Sequence, residues 1–136
     1  MADTTTTPRR LAGIELFHGL PETELEAIEK MVRWRQVKAG EQILDRSSDN
    51  RDLFLVTDGS VRIVNFSRSG REVAYAVVNE GGFFGELAAI DGEARSATVV
   101  AIQKSQVATM SPSLFQDLMC KHPAMMMTVV RRLAKI

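Results

Sequence analysis

Between residues 37 and 110 short β-branched runs alternate with turn residues, and that rhythm restricts the architecture more than any other feature of the chain. Gly40, residues 47–50, Asp58-Gly59 and Ser69-Gly70 mark bends between the runs. Residues 53–56, 61–64, 73–78, 98–102 and 106–110 read as strands. Val61 and Ile63 recur at period two, as do Val73, Tyr75 and Val77, the spacing of strands with one face buried. Several short strands at such intervals predict a sandwich or a barrel.

Helical patterns flank this block. Leu11, Ile14, Leu16 and Phe17 suffice for a short helical segment docked on a core. After Gly19-Leu20-Pro21, one face of a helix carries Leu25, Ile28, Met31 and Val32. Its acidic start (Glu22, Glu24) and basic end (Lys30, Arg33, Arg35) suit the helix dipole. Downstream, Ser111 is an expected N-cap before Pro112, and Leu114, Phe115, Leu118 and Met119 form an apolar face. His122-Pro123 interrupts that helix, because a residue before proline avoids the α region. A last helix begins at Ala124 with no stop signal before Ile136, so it reads as cut short. Met125, Val129, Leu133 and Ile136 fall on one side of it, while Met126 and Val130 extend the apolar surface beyond a single stripe. Residues 1–10, with four consecutive threonines, a proline and two arginines, read as a disordered lead-in, leaving residues 11–136 as one domain.

Composition removes several function classes. Seventeen basic and seventeen acidic residues cancel, which argues against nucleic-acid binding by this segment itself. Cys120 is alone, so no disulfide framework or Cys-based metal site is expected, and its apolar neighbours predict a buried structural thiol. His18 and His122 lack partners at ligand spacing, which predicts capping or surface roles and no metal. Arg51-Asp52, Arg68, Arg71 and Arg131-Arg132 read as solvated charges. No nucleophile elbow and no Gly-Lys-Ser/Thr phosphate loop occurs, so the expectation is a protein that is not an enzyme. No apolar stretch approaches the roughly 20 residues of a membrane span, and Gly13 and Glu15 interrupt any export signal after Arg9-Arg10, so a cytoplasmic location is expected.

Residues 81–100 carry the chemistry. Gly81, Gly82 and Gly85 precede the helix-forming run from Glu86 to Ile90, which breaks at Asp91-Gly92 before a β-branched strand. The first N–H groups of a short helix lack carbonyl partners, and glycine lets an anion approach them. Arg95 can return to the same spot as a bidentate donor, Ser96 adds a hydroxyl, and Glu86 is an acceptor for a sugar hydroxyl. A phosphate joined to a ribose is the ligand this set predicts.

In order, Phe84-Gly85-Glu86-Leu87-Ala88-x-Ile90-x-Gly92-x-x-Arg95-Ser96-Ala97-Thr98-Val99 resembles the phosphate-binding cassette of cyclic nucleotide-binding domains. That family includes bacterial catabolite activator protein, protein kinase A regulatory subunits and cyclic-nucleotide-gated channels. The Leu-Phe-x-Gly-Leu-Pro run at residues 16–21 is similar to the family's N-terminal helical portion. The resemblance implies a mainly β fold, an eight-stranded β-roll of jelly-roll type with N-terminal and C-terminal helices. It implies that Glu86 holds the ribose 2′-hydroxyl and Arg95 the cyclic phosphate. Backbone N–H groups near Gly85, Leu87 and Ala88 would complete the phosphate cradle, with Ser96 and Ala97 on its far side. Ser47-Ser48 departs from the family pattern, which has an acidic residue after a glycine there.

By the same resemblance the ligand is cyclic AMP, with cyclic GMP left open because Ser96 keeps a hydroxyl after the cassette arginine. The C-terminal helix is expected to close over the base, to relay occupancy by its movement and to pair two subunits as a homodimer. Two settings remain open: the sensor part of a DNA-binding transcription regulator, or the regulatory module of an enzyme or channel. A relative that has the fold without the ligand is a third.

Overall fold

Strand-forming sequence becomes two stacked sheets in the computed structural model, which describes residues 8–45, 48–67, 69–92 and 97–135, apart from the side chains of residues 73 and 74. The strands are β1 (Arg33–Val37), β2 (Gln42–Leu44), β3 (Leu53–Asp58), β4 (Ser60–Phe66), β5 (Glu72–Asn79), β6 (Phe83–Phe84), β7 (Ala97–Ala101) and β8 (Ser105–Met110). One antiparallel sheet has the order β1-β8-β3-β6 and the other β2-β7-β4-β5. A 3₁₀ turn (Glu15–Phe17) and helix α1 (Glu22–Glu29) precede them, α2 (Glu86–Asp91) lies between β6 and β7, and α3 (Pro112–Lys121) and α4 (Pro123–Ala134) follow. This is the expected eight-stranded β-roll with flanking helices.

The period-two geometry of β3 explains how the layers join. Leu53 and Leu55 face the helices and share a core with Leu16, Phe17, Phe83, Phe115, Met125 and Val129. Phe54 and Val56 face the other way, into a second core between the sheets with Val37, Ile43, Val61, Val99 and Val107. A strand buried on both faces reads as a continuous apolar run, which is what residues 53–56 show. The turn between β3 and β4 is tight because Gly59 has φ 87° and an added Cβ would lie 2.7 Å from the Lys104 carbonyl oxygen. Ser105 closes the same corner, its Oγ accepting from Ser60 N at 3.1 Å.

Helix starts follow their local chemistry. The Leu114 N–H donates to Ser111 Oγ at 3.2 Å, the predicted N-cap, with Pro112 in the first turn of α3. His122 is extended between α3 and α4 (φ −126°, ψ 90°), as a residue before proline must be. α4 buries Met125 and Val129 and packs Leu133 at the core edge, while Met126, Met127 and Val130 remain exposed. Its C-cap is Lys135, and Ile136 lies outside the described residues.

Three expectations change. Helix α1 stops at Glu29, and Arg33 and Arg35 belong to β1, because Trp34 pairs across to Ala108 and its Nε1 donates to the Glu29 carbonyl at 3.0 Å. Met31 is consequently in a turn and exposed. Two of the period-two set on β5 point outward, and the side chain of Val73 lies outside the described residues: Tyr75 and Val77 are exposed, Arg62 lies over the Tyr75 ring at 5.1 Å, and Val78 takes the buried place. Cys120 is exposed, since Phe115, Leu118 and Met119 already fill the inward face of α3. His122 takes the expected capping position: it is the N-cap of α4, its carbonyl accepting from Met125 N at 2.9 Å, although its side chain makes no cap hydrogen bond. Its buried Nε2 lies 3.2 Å from Glu24 Oε1, without the alignment of a hydrogen bond.

Candidate functional site

The chain leaves β6 at Phe84 and turns into α2 through Gly85, whose φ of 90° is left-handed. A side chain there would be strained and would put its Cβ 2.7 Å from the Asp52 carbonyl oxygen. Glycine therefore lets the cassette lie directly on the segment leading into β3. The first-turn N–H groups of α2, those of Glu86, Leu87 and Ala88, precede the first closed helical bond, from Ala89 N to Gly85 O at 3.1 Å. Gln116 of α3 fixes the far side of α2, its Nε2 donating to the Ala89 carbonyl at 2.9 Å.

Beside this helix start is a cleft of about 380 Å³, within the size range of small-molecule sites. Gly85, Glu86, Leu87 and Ala88 line one wall, and Ala97 of β7 lines another. The inner face of the β2-β7-β4-β5 sheet supplies Leu44, Ile63, Ala76 and Val99, an apolar floor for a flat ring. Strand register places these side by side: Ile63 is opposite Val99, and Asn65 is opposite Ala97. Asn65, Asp45, Ser48, Asn50 and Asp52 line the cleft too.

Five of the seven expected binding residues, Gly85, Glu86, Leu87, Ala88 and Ala97, thus share one cleft. Arg95 and Ser96 lie outside the described residues. Among the described residues no group of three or more His, Cys, Asp or Glu side chains is placed to hold a metal ion. No helix among them is long and apolar enough to cross a membrane.

Glu86 is only 7% exposed, unusual for a carboxylate at the start of a helix. Its Oε2 lies 3.3 Å from Arg132 Nε of α4. The pair was not foreseen, because Arg132 reads in sequence as half of a solvated Arg-Arg dipeptide. Breaking a pair with one nearly buried member leaves a charge uncompensated, so this contact matters more than a surface pair does.

A family model described as "Cyclic nucleotide-binding domain" matches residues 34–122, well over half of the chain. The chain belongs to the cyclic nucleotide-binding domain family. The cyclic nucleotide-binding domain is 30% identical over 97 residues to a cyclic AMP receptor protein of Thermus thermophilus, covering 71% of this chain and 45% of that protein. It is 31% identical over 108 residues to lysophospholipase NTE1 of Mycosarcoma maydis, covering 79% of this chain and 6% of that one. Among solved structures, the catabolite activator protein of Thermus thermophilus superposes with a TM-score of 0.75 at 27% identity, covering 88% of this chain and 56% of that one. The chain therefore spans about half of the bacterial regulators and a small fraction of the lipase.

Proposed function

We propose that the chain is a cytoplasmic sensor domain that binds a 3′,5′-cyclic nucleotide, with cyclic AMP preferred and cyclic GMP as a second ligand. The observation that carries this is the shared cleft, in which a glycine-led helix start, a nearly buried carboxylate and an aliphatic floor converge. Phosphate needs donors, ribose needs an acceptor, and a purine needs an apolar slot. In this reading Glu86 accepts from the 2′-hydroxyl, Arg95 and Ser96 hold the cyclic phosphate with the N–H groups near Gly85, Leu87 and Ala88, and Ala97 borders the phosphate.

The domain acts as a sensor and not as a catalyst. Ligand binds better when α4 is docked beside the cleft, so occupancy raises the docked population, and an attached effector responds. The extended hinge at His122 lets α4 move relative to α3. The exposed Met126, Met127 and Val130 fit a helix pair in a homodimer. Likeness to the N-terminal domain of a transcriptional regulator from Streptomyces coelicolor, 26% identical with a TM-score of 0.69, favours the sensor part of a transcription regulator as the setting, with the regulatory module of an enzyme as the alternative that the lysophospholipase match favours.

Isothermal calorimetry with cyclic AMP, cyclic GMP and 5′-AMP in parallel tests the reading. One-site binding of a cyclic nucleotide, with 5′-AMP much weaker, is the expected result. Absence of heat from both cyclic nucleotides would leave a domain with the fold and no such ligand.

A further inference from the structure

The sensor reading, on which this inference rests, gives α2 a ligand but leaves unexplained what keeps so short a helix at a fixed distance from the strand floor. We propose that Arg51 is a positioning residue of the nucleotide site. With Asp52 it grips α2 at both ends and holds the wall of Glu86, Leu87 and Ala88 in the arrangement that accepts ligand.

Two consecutive residues reach the two ends of the helix. At its start, the Asp52 carbonyl oxygen would stand 2.7 Å from a Cβ on Gly85. At its end, Arg51 Nε donates to the carbonyl of Gly92, the C-cap. A helix of this length rises about 9 Å, a span that calls for a long side chain. The last carbonyls of a helix have no partner inside it, and a guanidinium there also suits the negative end of the dipole. Gln116 takes the Ala89 carbonyl from α3, so donors from two separate elements finish the same helix end. Arg51 reads in sequence as a solvated charge, and the structure gives it this carbonyl.

The base of the clamp is itself fixed. Asp52 N donates to Asn50 Oδ1 at 2.9 Å and Asn50 N to Ser48 Oγ at 3.1 Å, side-chain turns that set the loop without a sheet partner. Arg51 Nη1 donates to the Asp49 carbonyl at 3.2 Å, which aims the guanidinium. Directly after Asp52 the chain is anchored by Leu53, fully buried in the core beneath the helices. Asn50 and Asp52 line the cleft, but Arg51 does not, so it acts through α2 and not on the ligand.

That separation has a kinetic signature. Loss of the clamp leaves every ligand-contacting group present but lowers the fraction of molecules whose cassette is set for binding. Apparent affinity falls with that fraction. The loss falls on association, because a nucleotide once bound holds the cassette itself and leaves at the wild-type rate.

The test compares the wild-type chain with Arg51→Ala, Arg51→Met and Arg51→Lys. Calorimetry with cyclic AMP gives the affinities, and stopped-flow fluorescence with a cyclic AMP analogue labelled on the adenine gives the rates. Arg51→Ala and Arg51→Met should weaken binding about two- to tenfold, the range of one hydrogen bond, with the association rate constant falling by that factor and dissociation unchanged. Arg51→Lys, which keeps a charged donor for Gly92, should recover most of the affinity. Thermal denaturation without nucleotide reports on the fold alone, and a misfolded alanine variant leaves the methionine and lysine variants to decide. Unchanged affinity would overturn the proposal, and a lowered midpoint beside it would make Arg51 a general brace of the fold. A loss carried by faster dissociation would overturn it by putting Arg51 on the ligand. A wild-type chain that binds neither nucleotide would remove the sensor reading itself and this inference with it.

Discussion

Phe54 on β3 and Phe84 on β6 stack with ring centroids 4.9 Å apart and planes only 4° from parallel. The pair is opposite in register, so a two-residue strand is clamped to the central sheet just before the chain enters the cleft. Offset stacking of this kind adds about 0.5–1.5 kcal/mol beyond area burial. It fixes the direction in which the cassette leaves the sheet, and Gly85, directly after it, completes the approach to Asp52.

Gly85→Ala is therefore expected to damage both stability and binding. A non-glycine residue at φ 90° costs about 1–3 kcal/mol, and the contact of its Cβ with the Asp52 carbonyl adds to that. Thermal denaturation should show a lowered midpoint, and cyclic nucleotide titration a weakened affinity. A variant as stable and as tight-binding as wild type would mean that the loop relaxes without cost.

Arg95→Ala should weaken cyclic nucleotide binding roughly ten- to more than a hundredfold, since a charge-assisted hydrogen bond contributes about 1.5–3 kcal/mol. Arg95→Lys should restore only part of the loss, because a point charge cannot reproduce a bidentate fork. Calorimetry reads both. Unchanged affinity in the alanine variant removes Arg95 from the phosphate.

Glu86→Gln tests the ribose contact. The amide still accepts a hydrogen bond but has lost the charge, so cyclic AMP should bind several-fold less tightly. The wild-type chain should lose more affinity than the variant when 2′-deoxy cyclic AMP replaces cyclic AMP. The four affinities form a thermodynamic cycle, and zero coupling in it would assign Glu86 another role.

Much of this arrangement was legible before the fold was known. The period-two pattern gave a strand with one buried face through Val61 and Ile63, the family resemblance gave the β-roll, and the residues of the cassette order Gly85, Glu86, Leu87, Ala88 and Ala97 lie at one cleft. β2 and β6 were not legible, because strands of three and two residues carry no period. β5 misled for a different reason: Tyr75 and Val77 are apolar at the right spacing, yet their face of the sheet meets solvent and Arg62 instead of a second layer. The partner of Glu86 was hidden by distance along the chain. No local signal distinguishes Arg132 from Arg131, and only the docking of α4 on the core selects one of them.

The outer face of α4 predicts self-association. Met126, Met127 and Val130 are 41%, 46% and 49% exposed, a cluster that a lone helix on a β-roll does not need. Sedimentation velocity across a concentration series should show a monomer–dimer equilibrium, and Val130→Glu should shift it toward monomer by placing charge in the helix pair. Strictly monomeric wild-type chain at high concentration would remove the helix pair.

The floor of the cleft predicts weak discrimination between purines. Leu44, Ile63, Ala76 and Val99 are aliphatic and grip a flat ring without reading its edge. Asn65 is the polar side chain among the described strand residues that line the cleft. An amide carries both a donor and an acceptor and can rotate to present either, so it serves the amino group of adenine and the carbonyl of guanine alike. Cyclic AMP and cyclic GMP should therefore bind within about tenfold of each other, or ~1.4 kcal/mol. Asn65→Leu should weaken both by similar factors and leave their ratio nearly unchanged. A preference well beyond tenfold, or a ratio that collapses in Asn65→Leu, would show that the strand floor reads the base after all and that Asn65 is fixed in one orientation.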